Sequence, residues 1–148
     1  MLFRVNLITA IKKFELEVEY EYDFLLYGVV SIEKSHRLVW HINKVYPFQF
    51  ARIDDYELEI NQKSLSFARY LFTYDENHIT YCLLANKDEN NYLIPELKNF
   101  DYLVVVKGAL DFFDEEEFKH TLNELPVIQL AYVLEADKLK SKVNLLYL

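Results

Sequence analysis

A strict alternation of apolar and acidic side chains over residues 14–22 constrains the fold more than any other feature of the sequence. Five positions are aromatic or aliphatic, and the four positions between them are Glu. Successive side chains of a strand point to opposite faces, so this pattern predicts a strand with one buried face and one wet face. A sheet with a wet face is typical of antiparallel pairing, because parallel sheets are covered on both faces.

The periodicity changes between residues 23 and 46. Side chains spaced three and four residues apart form one stripe, as in an amphipathic helix. The stripe predicts a helix over residues 31–46, which Pro47 ends. Residues 23–30 fit either the start of this helix or an extension of the preceding strand, and the sequence leaves that choice open. The stripe consists of Leu25, Val29, Ile32, His36, Val39, Asn43 and Tyr46.

Strand patterns dominate the rest of the chain up to a second helix. Residues 64–74 and 79–85 flank a short polar turn and predict a hairpin. Residues 101–106 form the most apolar run and are expected to lie centrally in the sheet. The other predicted strands are 48–59, 92–94 and 127–135.

The second helix is predicted over residues 114–125. Asp114 is the expected N-cap, and three Glu follow in the first turn, where they complement the helix dipole. Pro126 ends the helix, and Asp137 is the expected cap of a short C-terminal helix. The buried stripe is predicted to be Phe118, Leu122 and Leu125.

These elements predict an α+β fold. We expect a mostly antiparallel sheet of five to seven strands with two main helices, forming a two-layer sandwich if both helices cover one face. The length predicts a single domain over residues 1–148. Strand 101–106, helix 114–125 and strand 127–135 fit a right-handed crossover unit, which would resemble half of a ferredoxin-like fold.

Composition and charge argue against several classes of function. Only two Gly are present, Gly28 and Gly108, so a glycine-rich phosphate loop cannot be built. The net charge of −8 disfavours nucleic acid and anionic lipid, and no apolar run approaches the ~20 residues that cross a bilayer. The single cysteine, Cys82, predicts a reducing compartment. We therefore expect a cytoplasmic protein with no cofactor and no nucleic-acid or membrane partner.

Two Glu-x-x-His pairs raise the question of a metal site. Glu33 with His36, and Glu117 with His120, would each share a helix face. Such pairs hold two iron ions in four-helix bundles, but the predicted strands exclude a bundle. We therefore predict no metal site.

The segment from Ile94 to Tyr102 is the most distinctive local motif. Pro95 cannot donate to a strand ladder and pushes Ile94 into an extended conformation, so the preceding strand is expected to end, lie at an edge or bulge there. Asp101 and Tyr102 then restart a strand. Glu96 is predicted to accept hydrogen bonds from amides of the same loop or to pair with a basic residue, such as Arg37, Arg52 or Arg69.

This segment resembles the signature of a bacterial family, the IPExxxVDY family. Ile94-Pro95-Glu96 is followed by three residues and then by Phe100-Asp101-Tyr102, with Phe in place of Val. Residues 37–43 are also similar to that family. The family has no assigned activity, so the resemblance implies a bacterial setting and carries no function.

Two functions remain open from the sequence. The first is a non-enzymatic interaction or structural domain, with a homodimer or an unidentified protein partner. The alternative is a small-molecule-binding domain or an unrecognised enzyme, with a pocket between the sheet and helix 31–46, near His36, Trp40, Glu96 and Asp101. The motif itself is either a structural brace or a functional site.

Overall fold

The computed structural model describes residues 24–146 and 148, and within them eight strands and two α-helices form. The strands are β1 (Leu25–Val30), β2 (Ala51–Ile60), β3 (Lys63–Tyr74), β4 (Ile79–Ala85), β5 (Lys87–Asp88), β6 (Asn91–Tyr92), β7 (Tyr102–Gly108) and β8 (Leu130–Leu134). The helices are α1 (Ser35–Ile42) and α2 (Glu115–Asn123). Short 3-10 helices form at Pro95–Leu97, Leu110–Phe112, Ala136–Lys138 and Lys142–Leu145.

Six of these strands form one sheet in the order β2–β3–β4–β7–β1–β8, and every neighbouring pair is antiparallel. β5 and β6 form a separate small hairpin. The predicted α+β class is therefore confirmed, as is the central position of the most apolar strand. β7 lies between β4 and β1, and its first five side chains are buried.

The predicted connection from β7 through α2 to β8 is present. Both strands pair antiparallel with β1, so they run parallel to each other on either side of it. β8 is shorter than predicted, and the expected cap at Asp137 is wrong. Ala136–Lys138 is a single 3-10 turn preceded by Glu135, and no side chain caps it.

The first helix is also shorter than predicted, and residues 23–30 contain a strand rather than a helix. Residues 31–34 are not helical because other groups satisfy their polar atoms. The Ser31 N–H donates to the Asp101 carboxylate at 2.9 Å, and the Ser31 hydroxyl donates to the Val127 carbonyl at 2.6 Å. At the other end the Asn43 side chain bonds both the N–H and the carbonyl of Phe50, so the helix ends at Ile42.

The predicted helical stripe was correct only in part within α1: Val39 is buried as predicted, whereas His36 is exposed. Ile32 is 87% exposed, and the buried face of α1 consists of Leu38, Val39 and Ile42. In α2 the prediction holds better: Asp114 is the N-cap and accepts a hydrogen bond from the Glu117 N–H at 3.0 Å.

Both helices pack on one face of the sheet, as a two-layer arrangement requires. Their apolar side chains join a core with alternate residues of the strands. The opposite face of the sheet is covered by segments that contain 3-10 turns and extended chain. The segment around Pro95 contributes Leu93, Ile94 and Leu97, and the C-terminal region contributes Ala136 and Leu145.

The predicted strand over residues 14–22 lies outside the described residues, and the prediction of one domain over 1–148 stays a prediction. Within the described part, neither helix has the length and apolar character to cross a bilayer.

Candidate functional site

The motif segment, residues 94–102, begins with a buried anchor. The Ile94 side chain is fully buried in the core opposite the helices. β6 ends at Tyr92, Ile94 is extended, and Pro95 starts the 3-10 turn Pro95–Leu97. The predicted strand end before Pro95 is therefore confirmed.

Asn86 holds this segment in place. It is completely buried, and its side-chain amide donates to the carbonyls of Leu97 and Phe100 at 2.9 and 3.0 Å. Its side-chain oxygen accepts from the Ile94 N–H at 2.9 Å. Asn86 begins the polar run over residues 86–91, and the sequence analysis assigned it no role. An Asn within a run of polar residues gives no signal that it is buried.

Glu96 has a partner that the sequence did not suggest. Its carboxylate accepts from the backbone N–H and from the hydroxyl of Ser141, each at 2.7 Å. Partial burial raises the pKa of Glu96, but the hydrogen bonds from Ser141 outweigh it, and the pKa lies below its ordinary value. The carboxylate therefore ties the motif segment to the C-terminal region.

The predicted arginine partners of Glu96 are wrong, because each has a closer acceptor in its own neighbourhood. Arg37 lies 3.8 Å from the Glu33 carboxylate, and Arg52 pairs with Asp55. The Arg69 side chain donates to the Asp54 carbonyl at 3.0 Å.

Asp101 and Tyr102 hold the connection between β1 and α1. Asp101 accepts from the Ser31 N–H, and the Tyr102 hydroxyl donates to the Glu33 carbonyl at 2.5 Å. Burial, with a smaller contribution from the Asp101 charge, raises the pKa of Tyr102 to about 12, so this hydroxyl stays a donor at neutral pH.

Phe100 makes the tightest contact of the motif segment. Its ring lies directly over Gly28 in β1, where an added Cβ would stand 2.5 Å from a ring carbon. Gly28 is therefore required by this contact, because any larger side chain would collide with the ring.

His36 and Trp40 do not line a pocket between sheet and helix. Both lie on the solvent-facing side of α1, and the Trp40 side chain is 50% exposed. The Lys44 ammonium lies 3.5 Å from the centroid of the Trp40 ring. The predicted location was wrong because both side chains lie away from the buried face of α1, which consists of Leu38, Val39 and Ile42.

A different cavity is present on the helix-covered face. It has a volume of about 320 Å³ and opens between the loop after α1, the β3–β4 hairpin and the start of α2. We call it the aromatic cleft. Seven aromatic side chains line it: Tyr46, Phe48, Tyr74, Tyr81, Phe112, Phe113 and Phe118.

The inner rings of the aromatic cleft support one another. The Tyr81 ring lies 5.4 Å from Phe48 and 5.3 Å from Phe118, measured between centroids. These three side chains are buried at the base, whereas Phe112 at the mouth is 100% exposed. Burial raises the pKa of Tyr81, so its hydroxyl stays neutral. The base is therefore rigid and uncharged.

The charged groups of the aromatic cleft are acidic. Asp114 and Glu117 line it, and the lining residues within the described part of the chain include no Lys or Arg. Asp114 is engaged as the cap of α2. The Glu117 carboxylate has no hydrogen-bond or ion-pair partner among residues 24–146 and 148.

The described residues give no indication of a metal centre. Within the described part of the chain, no group of three or more His, Cys, Asp or Glu side chains lies close enough to hold a metal ion. His120 lies 3.2 Å from Glu124 rather than forming a site with Glu117.

Comparisons of the chain with protein-family models, curated proteins and solved structures found no match.

Proposed function

We propose that this domain is a non-enzymatic binding domain and that the aromatic cleft is its ligand site. The observation that carries the proposal is an open cavity of about 320 Å³ with a rigid aromatic base and an exposed ring at its mouth; at its side lies the Glu117 carboxylate, which has no partner among the described residues. This volume falls in the lower part of the ~300–1,000 Å³ range of ligand pockets. Groups without internal partners are those that a ligand can satisfy.

The polar groups of the motif segment, in contrast, already have partners within the chain. This holds for Glu96, Asp101 and Tyr102, and also for Asn86, which bonds to the segment. A carboxylate that already accepts two internal hydrogen bonds must give them up before it can bind a ligand or act as a base. We therefore propose that the motif is a structural brace.

Amide chemical shifts measured during a titration with small-molecule fragments test this proposal. We expect binding fragments to shift resonances around residues 45–48, 74–81 and 112–121, which contribute the aromatic cleft. Phe112→Ala should weaken that binding. The matched control is Tyr132→Ala, since Tyr132 is an exposed aromatic residue on β8, outside the cleft. Equal loss of binding in both variants, or fragment shifts confined to the motif segment, would contradict the proposal.

A homodimer is a second candidate, favoured by the edge strand β8. This strand lies at one end of the described sheet and carries the exposed side chains Leu130 and Tyr132, the latter 55% exposed. Exposed apolar residues on an edge strand favour pairing with another strand. Native mass spectrometry should then give twice the chain mass, and Tyr132→Lys should return the monomer. A monomer at all concentrations would reject this candidate.

The resemblance of residues 94–102 supports a further proposal, that the chain belongs to the bacterial IPExxxVDY family. A cytoplasmic location is proposed with it, because the one cysteine, Cys82, is buried and unpaired.

A further inference from the structure

We infer that the ligand of the aromatic cleft is a small organic cation with an alkylated ammonium group. This inference rests on the proposed function and adds the chemical class of the ligand. The ligand class follows from two properties of the cavity: the aromatic side chains that line it and the sign of the charges around it.

Aromatic side chains are the first property. Phe48, Tyr81 and Phe118 are buried at the base of the aromatic cleft, and Tyr46, Tyr74 and Phe112 also line it, with Tyr46 and Phe112 exposed. The faces of aromatic rings carry partial negative charge and attract cations within about 6 Å of the ring centroid, and several rings together recognise quaternary ammonium groups. An alkylated ammonium also buries methyl groups against the rings, which a hydrated metal ion cannot do.

The charges are the second property. Asp114 and Glu117 line the cleft, and the neighbouring Glu76 accepts a hydrogen bond from the Tyr74 hydroxyl at 3.0 Å. The α2 N-terminus contributes roughly half a positive charge. The carboxylates of Asp114, Glu115 and Glu117 at that terminus outweigh it, whereas the charge of Glu116 is offset by Lys119. The local potential is therefore negative.

An anion is disfavoured by the same geometry. It would face the carboxylates of Asp114 and Glu117, and the lining residues in the described ranges supply no Lys or Arg to bind it. A hard metal cation is also a poor fit, because it needs six or more oxygen ligands, whereas two carboxylates line the cleft in the described ranges and Asp114 is already engaged as the cap of α2.

Three probes of one shape separate these possibilities. Choline carries a trimethylammonium group, 3,3-dimethyl-1-butanol replaces its nitrogen with carbon, and 3,3-dimethylbutyrate carries a negative charge beside the same branched group. Amide shifts of the full chain are measured in titrations at low salt. We expect choline to bind about two- to fivefold more tightly than the neutral alcohol, with the butyrate weakest.

A pair of isosteric variants isolates the charge. Glu117→Gln should weaken choline binding about two- to fivefold and leave the alcohol unaffected. Glu116→Gln is the matched control, since Glu116 is on the same turn of α2, does not line the cleft and pairs with Lys119 at 3.1 Å. Added sodium chloride should weaken choline binding alone, because salt screens exposed charges.

The outcomes separate this inference from the proposed function. If the alcohol binds in the aromatic cleft as tightly as choline, the cation inference is wrong and the cleft remains a binding site. If the butyrate binds most tightly, the inference is also wrong. If none of the three probes shifts cleft resonances more than resonances elsewhere, both the inference and the proposed function fail.

Discussion

The motif segment and the aromatic cleft differ in where their polar and aromatic groups find partners. In the motif segment, Ile94 is bonded by the buried Asn86, Glu96 bonds to Ser141, and Phe100 packs on Gly28. In the aromatic cleft, Phe112 is fully exposed and the Glu117 carboxylate has no partner in the described residues. A group with internal partners contributes to folding, whereas a group without them adds little to stability and is available to a ligand. Substitutions should therefore affect stability in the first region and binding in the second.

The largest effect on stability is expected from Asn86→Ala. The change removes three hydrogen bonds, two of them buried and one partly buried, and leaves the Ile94 N–H without its acceptor. Each unsatisfied buried group costs about 1–3 kcal/mol, so the free energy of unfolding should fall by about 3 kcal/mol or more. Urea denaturation measures this change in the free energy of unfolding. Asn90→Ala is the control, since Asn90 is exposed in the same polar region and should change stability by less than about 0.5 kcal/mol. A loss below about 1 kcal/mol for Asn86→Ala would show that the segment is not held as described.

Gly28→Ala should be the next most damaging change. Its new methyl group would stand 2.5 Å from the Phe100 ring, and overpacking of this kind costs about 1–3 kcal/mol. Phe100→Val, the residue of the IPExxxVDY pattern, makes room for the methyl group. In a double-mutant cycle, the combined loss should therefore be smaller than the sum of the single losses by about 1 kcal/mol. Strict additivity would show that the two side chains do not interact.

Glu96→Gln should have a moderate effect. The hydrogen bonds to Ser141 are charge-assisted but exposed, so we expect a loss of about 1 kcal/mol, whereas the exposed control Glu89→Gln should lose less than about 0.5 kcal/mol. The lowered pKa of Glu96 sets the pH dependence. Its stabilising contribution is present above the unfolded-state pKa, about 4.3, and is lost as the pH falls through the lower folded-state pKa.

Denaturation curves of the wild type and Glu96→Gln should therefore differ at neutral pH and converge in acid. If Glu96→Gln leaves unfolding unchanged and abolishes binding of a ligand or partner, the motif is a functional site rather than a brace.

The smallest change in stability is expected in the aromatic cleft. Phe112→Ala should alter the free energy of unfolding by less than about 0.5 kcal/mol, because the ring is 100% exposed. Its neighbour Phe113 is half-buried, with its ring 5.8 Å from Phe118, so Phe113→Ala should cost more than about 1 kcal/mol. Thermal unfolding of the two variants provides the comparison. Equal losses would mean that Phe112 is packed rather than exposed, and the contrast between the two regions would disappear.

Local patterns were enough for much of the fold. The hairpin of β3 and β4, the central position of β7 and the cap at Asp114 could all be predicted. Each depends on residues close together in the chain: alternation and apolar runs mark strands, and a capping side chain bonds an amide three residues later. The first helix could not be placed correctly by the same reasoning. The bond from Ser31 to Asp101, 70 residues away, keeps residues 31–34 out of the helix.

The sequence by itself determined the α+β class, the antiparallel sheet and the second helix, because periodicity and capping are properties of neighbouring residues. Only the tertiary structure decided the burial of Asn86, the pairing of Glu96 with Ser141 across 45 residues, and the gathering of aromatic side chains from separate segments into one cleft. These features depend on which distant segments meet, and no local pattern of side chains records that choice. The candidate site therefore lies in segments without a distinctive sequence pattern, while the conspicuous motif over residues 94–102 is bonded to the rest of the fold.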